Sequence, residues 1–378
     1  MKPQTKVYIK HHSFKDFYSN FKSDVDQARQ RVLRCLESSS DTKIQAIIDS
    51  AKKDLSAPSE SVDFKITEHI VDELSKIDDA QVGRYIFHRY RYDVFPKQKK
   101  LDDYPPYLQI EPTSVCNYRC VFCYQTDEEF TTKSKGFMGA MSFDLFKEII
   151  DQVLGKVEFF SLASRGEPLL CKDIDRMLEY CSGKFLGLKI NTNASMLNEK
   201  HIHAILSGGV NTVVFSADAA KEPLYSQLRV KGNLEKVLTN IRLFQSIRSK
   251  QYPKSKVITR VSGVKFGEDQ DMDSMIGLWG ELVDQVSFVA YNPWENVYQS
   301  HVNTVTTPCS DLWRRMFVWF DGSVNPCDTD FKSMLSPGKI QNGNVSSLWL
   351  SEGYQKLREA HLKTQRSSRE PCRRCTVV

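Results

Sequence analysis

From residue 107 onward, short apolar runs alternate with longer stretches in which apolar positions recur every three to four residues. The short runs, at 107–111, 157–162, 188–191, 212–216, 257–262 and 285–289, read as strands. The windows between them, at 143–154, 173–182, 199–206, 234–248 and 270–282, read as helices. In the first helical window Leu145, Phe146, Ile149, Ile150, Val153 and Leu154 share one side, and Ser142 stands where an N-cap belongs. Strands alternating with helices predict an α/β fold with a parallel sheet and helices outside. Six such units suit a partial (β/α)6 TIM-type barrel, open rather than closed. Functional residues of such folds gather at the C-terminal ends of the strands.

The flanks have a different rhythm. Residues 1–100 carry helical windows at 14–37, 42–55, 67–76 and 79–91, a break at Pro58-Ser59, and one short strand-like run at 6–10. The polar, proline-marked stretch from Lys97 to Pro106 reads as an entry to a new unit. Near the C-terminus, apolar runs at 316–320 and 323–327 flank Asp321-Gly322, the signal of a two-residue hairpin turn, and a helical window follows at 346–364. The expected organisation is therefore a helical N-terminal region (1–100), the barrel (101–300) and a small C-terminal unit of hairpin plus helix (301–378).

Composition narrows the class. The 378 residues are 40% hydrophobic and 26% charged, which suits a soluble globular chain with a sizeable core. The net charge of +5 is too mild to argue for a nucleic acid or an anionic membrane surface as partner. No apolar run approaches the roughly 18–20 residues of a membrane span. The opening stretch has no apolar segment of leader length, so a cytoplasmic location is expected.

Ten cysteines are the unusual feature, and their placement decides their meaning. Cys35 lies on an apolar helix face with Ala28, Val32 and Leu36, Cys181 shares one with Ile174, Met177 and Leu178, and Cys171 opens that second helix. These three read as small core residues. Cys116, Cys120 and Cys123 instead form C-x3-C-x2-C directly after the first barrel strand. Three thiolates on one loop can hold three irons of a 4Fe–4S cluster, which normally takes four cysteines. One iron is then open to an external chelate such as an amino acid's amine and carboxylate. Zinc with a distant fourth ligand is the alternative.

The loop resembles that of the radical S-adenosylmethionine (SAM) superfamily, and further motifs across roughly 107–378 support the likeness. Ser164-Arg165-Gly166-Glu167-Pro168 is similar to the family's GGEP motif, with Arg165 in place of the first glycine. The resemblance implies that Glu167 accepts a hydrogen bond from the SAM amine, and that Gly166 permits close backbone approach. Asn191 and Asn193, ending the third strand, offer partners for ribose. Ser216 and Asp218 resemble the S-x-D segment, Arg229 the arginine that pairs with the SAM carboxylate, and Phe122 the aromatic residue against adenine. Alone, the asparagines read equally well as turn residues and Arg229 as a surface cation. The family's chemistry implies reductive cleavage of SAM to a 5′-deoxyadenosyl radical, hydrogen abstraction from a substrate, and an external one-electron reductant such as flavodoxin or ferredoxin.

Cys309, Cys327, Cys372 and Cys375 form a second set, which by spacing suits zinc or a 4Fe–4S cluster. Behind a radical SAM barrel it resembles the SPASM/twitch extensions, which carry an auxiliary 4Fe–4S cluster. The single-cluster spacing resembles that of the radical dehydrogenase of aminocyclitol antibiotic synthesis more than that of seven-cysteine peptide maturases. A cluster with four protein thiolates has no open iron and is left with electron transfer. The leading expectation is thus oxidation of an alcohol on a small, carbohydrate-like molecule: a sugar, sugar nucleotide or cyclitol. A peptide or protein maturase is the alternative, weighed down here by an N-terminal region with one strand-like run. An epimerase would need a thiol hydrogen donor, from Cys171 or Cys181. A zinc-stabilised binding protein without catalysis is a third class. Tyr291 and Glu295, in the segment after the last strand, and Arg260 near the end of the fifth are the candidates for substrate contact or catalysis.

Overall fold

The computed structural model describes residues 6–11, 16–19, 24–36, 42–57 and 62–378. The strands, in chain order, are β1 (Lys6–His11), β2 (Asp16–Ser19), β3 (Tyr107–Ile110), β4 (Arg119–Cys120), β5 (Phe159–Leu162) and β6 (Gly187–Thr192). They continue as β7 (Val210–Ser216), β8 (Arg229–Val230), β9 (Ile258–Lys265), β10 (Gln285–Ala290), β11 (Arg315–Val318), β12 (Ser323–Asn325) and β13 (Gly338–Lys339). Eleven of them form one sheet in the order β13-β12-β11-β3-β5-β6-β7-β9-β10-β1-β2. Its middle, from β3 to β10, is six neighbouring parallel strands, the expected open (β/α)6 arrangement.

Alternation along each strand builds this sheet. Leu108, Ile110, Phe160, Leu162, Leu188, Ile190, Val213, Phe215, Val261, Val286 and Phe288 are buried in the main core, among the helices that follow each strand. Each such side chain contributes about 1.5–3 kcal/mol when fully buried, so this layer dominates the stability. The intervening positions, among them Gln109, Ser161, Lys189, Arg260 and Gln285, are polar and face the barrel interior. The interior is therefore a polar hollow rather than the packed apolar plug of a closed barrel. The helix Phe143–Val153 begins as expected, with Ser142 Oγ accepting the Leu145 N–H at 3.3 Å. Leu154 falls beyond it and is exposed.

Several expectations need correction. The N-terminal region is not only helical: Asp16–Ser19, inside the window expected to be helix, pairs antiparallel with β1, and β1 runs parallel to β10 at the barrel's edge. Residues 14–15, 20–23 and 37 of that window lie outside the described residues. Pairing to β10, invisible to local periodicity, decides the strand. The helix expected at 79–91 runs from Val82 to Gln98, through Pro96, and stops at Lys99 with φ 56°. The window at 346–364 is two helices, Val345–Trp349 and Glu352–Leu362. The hairpin after β11 is longer than the Asp-Gly pair suggests: Trp319 N–H bonds Ser323 O at 2.8 Å, leaving three residues in the loop, with Gly322 at φ 82°. Finally, β11 extends the barrel sheet beside β3, so the C-terminal cysteines hang from the same sheet as the first cysteine loop.

Candidate functional site

Cys116, Cys120 and Cys123 line one cavity of about 370 Å³ at the C-terminal ends of the strands, together with Phe122, Gly166, Glu167, Asn191, Asn193, Ser216 and Arg229. The loop that presents them is held from several sides. The two-residue ladder β4–β8 sets Cys120 opposite Arg229. Gln125 Nε2 donates to Ser114 O at 2.7 Å, and Arg119 Nη1 to Cys116 O at 2.9 Å. Gly166 is what lets the loop after β5 pack here: a Cβ would stand 2.3 Å from Thr113 O and 2.6 Å from Val115 O. The close approach expected at Gly166 is thus made by the backbone leading into the cysteine loop.

Arg165 is buried and binds Glu111 in a bidentate pair, and its Nη1 donates to Phe331 O at 2.8 Å. It joins the end of β3 to the C-terminal unit, which explains a large cation where the family motif has glycine. Glu167 is also buried. Its oxygens accept from Thr192 Oγ1 (2.6 Å), Asn193 N–H (2.7 Å) and Leu169 N–H (3.2 Å). Burial pushes its carboxyl above the ordinary range, against these hydrogen bonds. A cation arriving in the cavity would favour its ionised form.

Asp218 does not line the cavity; it receives the Val264 N–H at 2.7 Å and pairs with Arg229 Nε at 2.6 Å. Arg229 Nη1 also lies 3.8 Å from Cys120 Sγ. Far from a surface cation, Arg229 is buried, and Asp218 orients it. Asn193 spends its side chain on Asn117 and Ser195. Asn191 does not: its Oδ1 is buried without a protein partner, as is Ser164 Oγ, and both residues line the cavity. Orphaned acceptors and hydroxyls in a polar cavity are what a nucleoside ligand's hydroxyls and amine would satisfy.

Tyr291 and Glu295 are hydrogen-bonded to each other and do not line this cavity. Trp294 between them does, with its Nε1 donating to Phe122 O at 2.7 Å. Arg260 grips Gln285 Oε1 through Nε at 2.8 Å and lines a different cavity, at the other end of the barrel. Cys171 and Cys181 are buried in the helical layer and line neither cysteine cavity, which places no thiol donor for epimerisation at the site.

The C-terminal cysteines converge on a second cavity, of about 230 Å³, lined by Cys309, Cys327, Cys372 and Cys375 together. Arg366, which sequence reasoning missed, organises the tail: its guanidinium donates to the carbonyls of Thr307, Cys372, Cys375 and Val377 at 2.5–3.2 Å. Asn325 Nδ2 holds Cys327 O at 2.7 Å, and Cys309 N–H donates to His361 Nδ1 at 3.2 Å. Burial holds the His361 imidazole down at about 4, so it is a neutral acceptor near pH 7. The cysteines of both sets have thiols raised by burial, Cys116 and Cys309 to about 12, so any metal must displace their protons. Among the described residues no three His, Cys, Asp or Glu are grouped as for a single metal ion, and each cysteine set lines a cavity. Trp294, Arg315, Asp328 and Thr329 line both cavities and form the wall between them.

A six-strand open barrel with a three-cysteine cavity at its mouth and a four-cysteine cavity beside it is a layout that two multi-iron clusters would fit. Two family models agree: the radical SAM superfamily model matches residues 110–276, and an iron–sulfur cluster-binding domain, SPASM, matches 309–376. The chain is a radical SAM enzyme with a SPASM domain, and its cofactors are a SAM-binding 4Fe–4S cluster, an auxiliary cluster and SAM.

Among curated relatives, the chain is similar to a GTP 3′,8-cyclase of Clostridium botulinum, 28% identical over 193 residues (50% of this chain, 56% of the relative). It is also similar to the tungsten-containing aldehyde ferredoxin oxidoreductase cofactor-modifying protein of Pyrococcus furiosus, 30% identical over 117 residues (30% of each chain). The chain thus spans about half the length, or less, of these relatives. In fold it is similar to BtrN in complex with AdoMet and 2-DOIA (TM-score 0.50, 17% identity, 72% of this chain and 93% of that one). It is similar over its whole length to Streptococcus suis SuiB bound to the precursor peptide SuiA (TM-score 0.57, 14% identity, 99% and 98%). No helix among the described residues is long and apolar enough to cross a membrane.

Proposed function

We propose that this enzyme oxidises an alcohol carbon of a small polyhydroxylated substrate by two electrons. The observation that carries the reading is the convergence of all four C-terminal cysteines on one cavity that shares a wall with the SAM-side cavity. Cys116, Cys120 and Cys123 hold the SAM-binding cluster, and Cys309, Cys327, Cys372 and Cys375 hold the auxiliary one, leaving it no open iron. When bound, SAM and its cluster supply a hydrogen-atom abstractor, and the auxiliary cluster supplies an electron acceptor. Glu167, Asn191, Asn193, Ser216, Arg229 and Phe122 seat SAM, with Asp218 fixing Arg229. The substrate carbon would give its hydrogen atom to the 5′-deoxyadenosyl radical that SAM supplies, its hydroxyl would give a proton to water, and the remaining electron would pass across the wall at Trp294 to the auxiliary cluster. The carbonyl product follows. Flavodoxin or ferredoxin is the external reductant, and the reduced cytoplasm is the setting.

Two experiments test this. Incubation with deuterated sugars, sugar nucleotides and cyclitols should move deuterium into 5′-deoxyadenosine. Cys327→Ala should keep SAM cleavage and lose the oxidised product; full turnover without the second cluster would refute the electron-acceptor role.

A second reading, peptide modification, is favoured by one observation. The N-terminal region carries two antiparallel strands as well as helices, and the likeness to peptide-bound SuiB extends over it. Deuterium entering 5′-deoxyadenosine from a peptide, and from no sugar, would select that reading.

A further inference from the structure

The SAM-side cavity does not end at the cysteine tier. Lys189 and Arg315 line both it and a cavity of about 290 Å³ beneath, walled by the N-terminal helices and the lower strand ends. They sit at the waist where the two meet. Lys189 projects inward from β6 between Leu188 and Ile190, which are buried on the outer face. Arg315 projects from β11, in register with Tyr107, and its guanidinium lies 5.1 Å from that ring's centroid.

Neither cation is held in an ion pair by the protein, although in spite of its burial the Arg315 guanidinium is raised above its ordinary range by Tyr92, Asp311, Tyr107 and Asp328 acting from a distance. Among the described residues, the Lys189 ammonium makes no hydrogen bond or ion pair, and the Arg315 guanidinium makes none either, its Nε being buried without a partner. The carboxylates in electrostatic range are engaged elsewhere: Glu73 by His69 and Tyr85, Asp311 by Arg314. Asp328 faces Arg315 from beyond ion-pair distance. A buried ammonium facing a guanidinium, with no carboxylate in contact with either, is unfavourable for Lys189 above all, and an anionic ligand between the two removes the penalty. Lys189 lies two residues before Asn191, about 6.6 Å deeper in the barrel, below the tier that serves SAM.

We propose that Lys189 and Arg315 form an oxyanion-binding site at the barrel's waist, and that the substrate carries a carboxylate or phosphate seated there. The proposal rests on the reading of this cavity as the substrate's. Arg315's planar fork suits either group bidentately, with Lys189 as the point charge. Two further features agree. Arg260 adds a third positive charge nearby, and burial with the charges of Arg315 and Arg260 brings the Lys189 amine down to about 8, against the opposing pull of Tyr92 and Glu73.

Equilibrium dialysis of the reconstituted, SAM-loaded enzyme against inorganic phosphate and against acetate tests this without knowledge of the substrate. The expected result is one saturable anion per chain at pH 7, weakened at least tenfold by Lys189→Met and by Arg315→Met. The tighter of the two probes identifies a phosphoryl or a carboxylate substrate. Wild-type affinity should fall as pH rises above about 8, whereas Lys189→Arg should keep its affinity at pH 9. Binding that is unchanged in both Met variants overturns the site, and so does absence of saturable binding in a wild type that still makes 5′-deoxyadenosine. A wild type that binds anions but makes no 5′-deoxyadenosine refutes the enzymatic reading and leaves the anion site standing.

Discussion

Arg165 and Glu111 form a bidentate ion pair at 2.6 and 2.7 Å, with side chains 2% and 0% exposed. Arg165 also lies over the Trp319 ring at 4.3 Å, so one side chain fastens the loop after β5 to the end of β3 and to the C-terminal unit. Arg165→Met should cost about 3–5 kcal/mol, because it strands a buried carboxylate. Chemical denaturation would measure it. Adding Glu111→Gln should recover part of the loss; a single variant as stable as the wild type would mean that the pair has no structural role.

Gly166→Ala should displace the cysteine loop, since its Cβ would meet backbone atoms at 2.3–2.6 Å and backbone cannot yield as a flexible side chain can. Reconstituted iron should fall from close to eight per chain to about four, with SAM cleavage lost. Iron analysis and 5′-deoxyadenosine assay check both. Retention of all the iron would show that the loop tolerates the shift.

Arg366→Leu should release the tail that carries Cys372 and Cys375, because four carbonyls lose their donor at once. The expected signature is again about four irons, but now with SAM cleavage retained and oxidation lost. The pair of variants therefore separates the two clusters by their activities at equal iron content.

Glu73 supplies a pH-dependent stabilisation. Burial raises its carboxyl, but His69 at 3.0 Å, Arg89 and the Tyr85 hydroxyl at 2.6 Å outweigh that and hold it well below the usual carboxylate range. A folded pKa below the unfolded value means that the stabilisation is complete above about pH 4.3 and is lost as pH falls beneath it. Glu73→Gln should destabilise by about 1.5–3 kcal/mol at pH 7. Thermal unfolding across pH should show the two proteins converging in acid.

Much of the barrel was legible because its signals are local. Apolar spacing located all six central strands and the helices between them, and Ser142 marked a helix start. The short strand at Asp16–Ser19 was not legible, because its partners lie in β1 and, through it, in β10. Among site residues, the cysteines announced themselves by spacing, and seven of the eight expected SAM contacts line the cavity. Asp218 lies one shell back, holding Arg229. Tyr291 and Glu295 do not line the cavity, because aromatic and acidic character in a loop says nothing about which way it turns.

By itself the sequence determined the alternation of elements and the two cysteine groups, since helix period, strand period and metal-ligand spacing are written in neighbouring residues. Only the tertiary structure decided which buried charges are paired and which are not. Arg165 and Arg229 find carboxylates in contact, whereas Lys189 and Arg315 meet at the barrel's waist with none at ion-pair distance. The physical reason is that electrostatic energy depends on distance through space and on exclusion of water, neither of which is set until strands remote in the chain lie side by side.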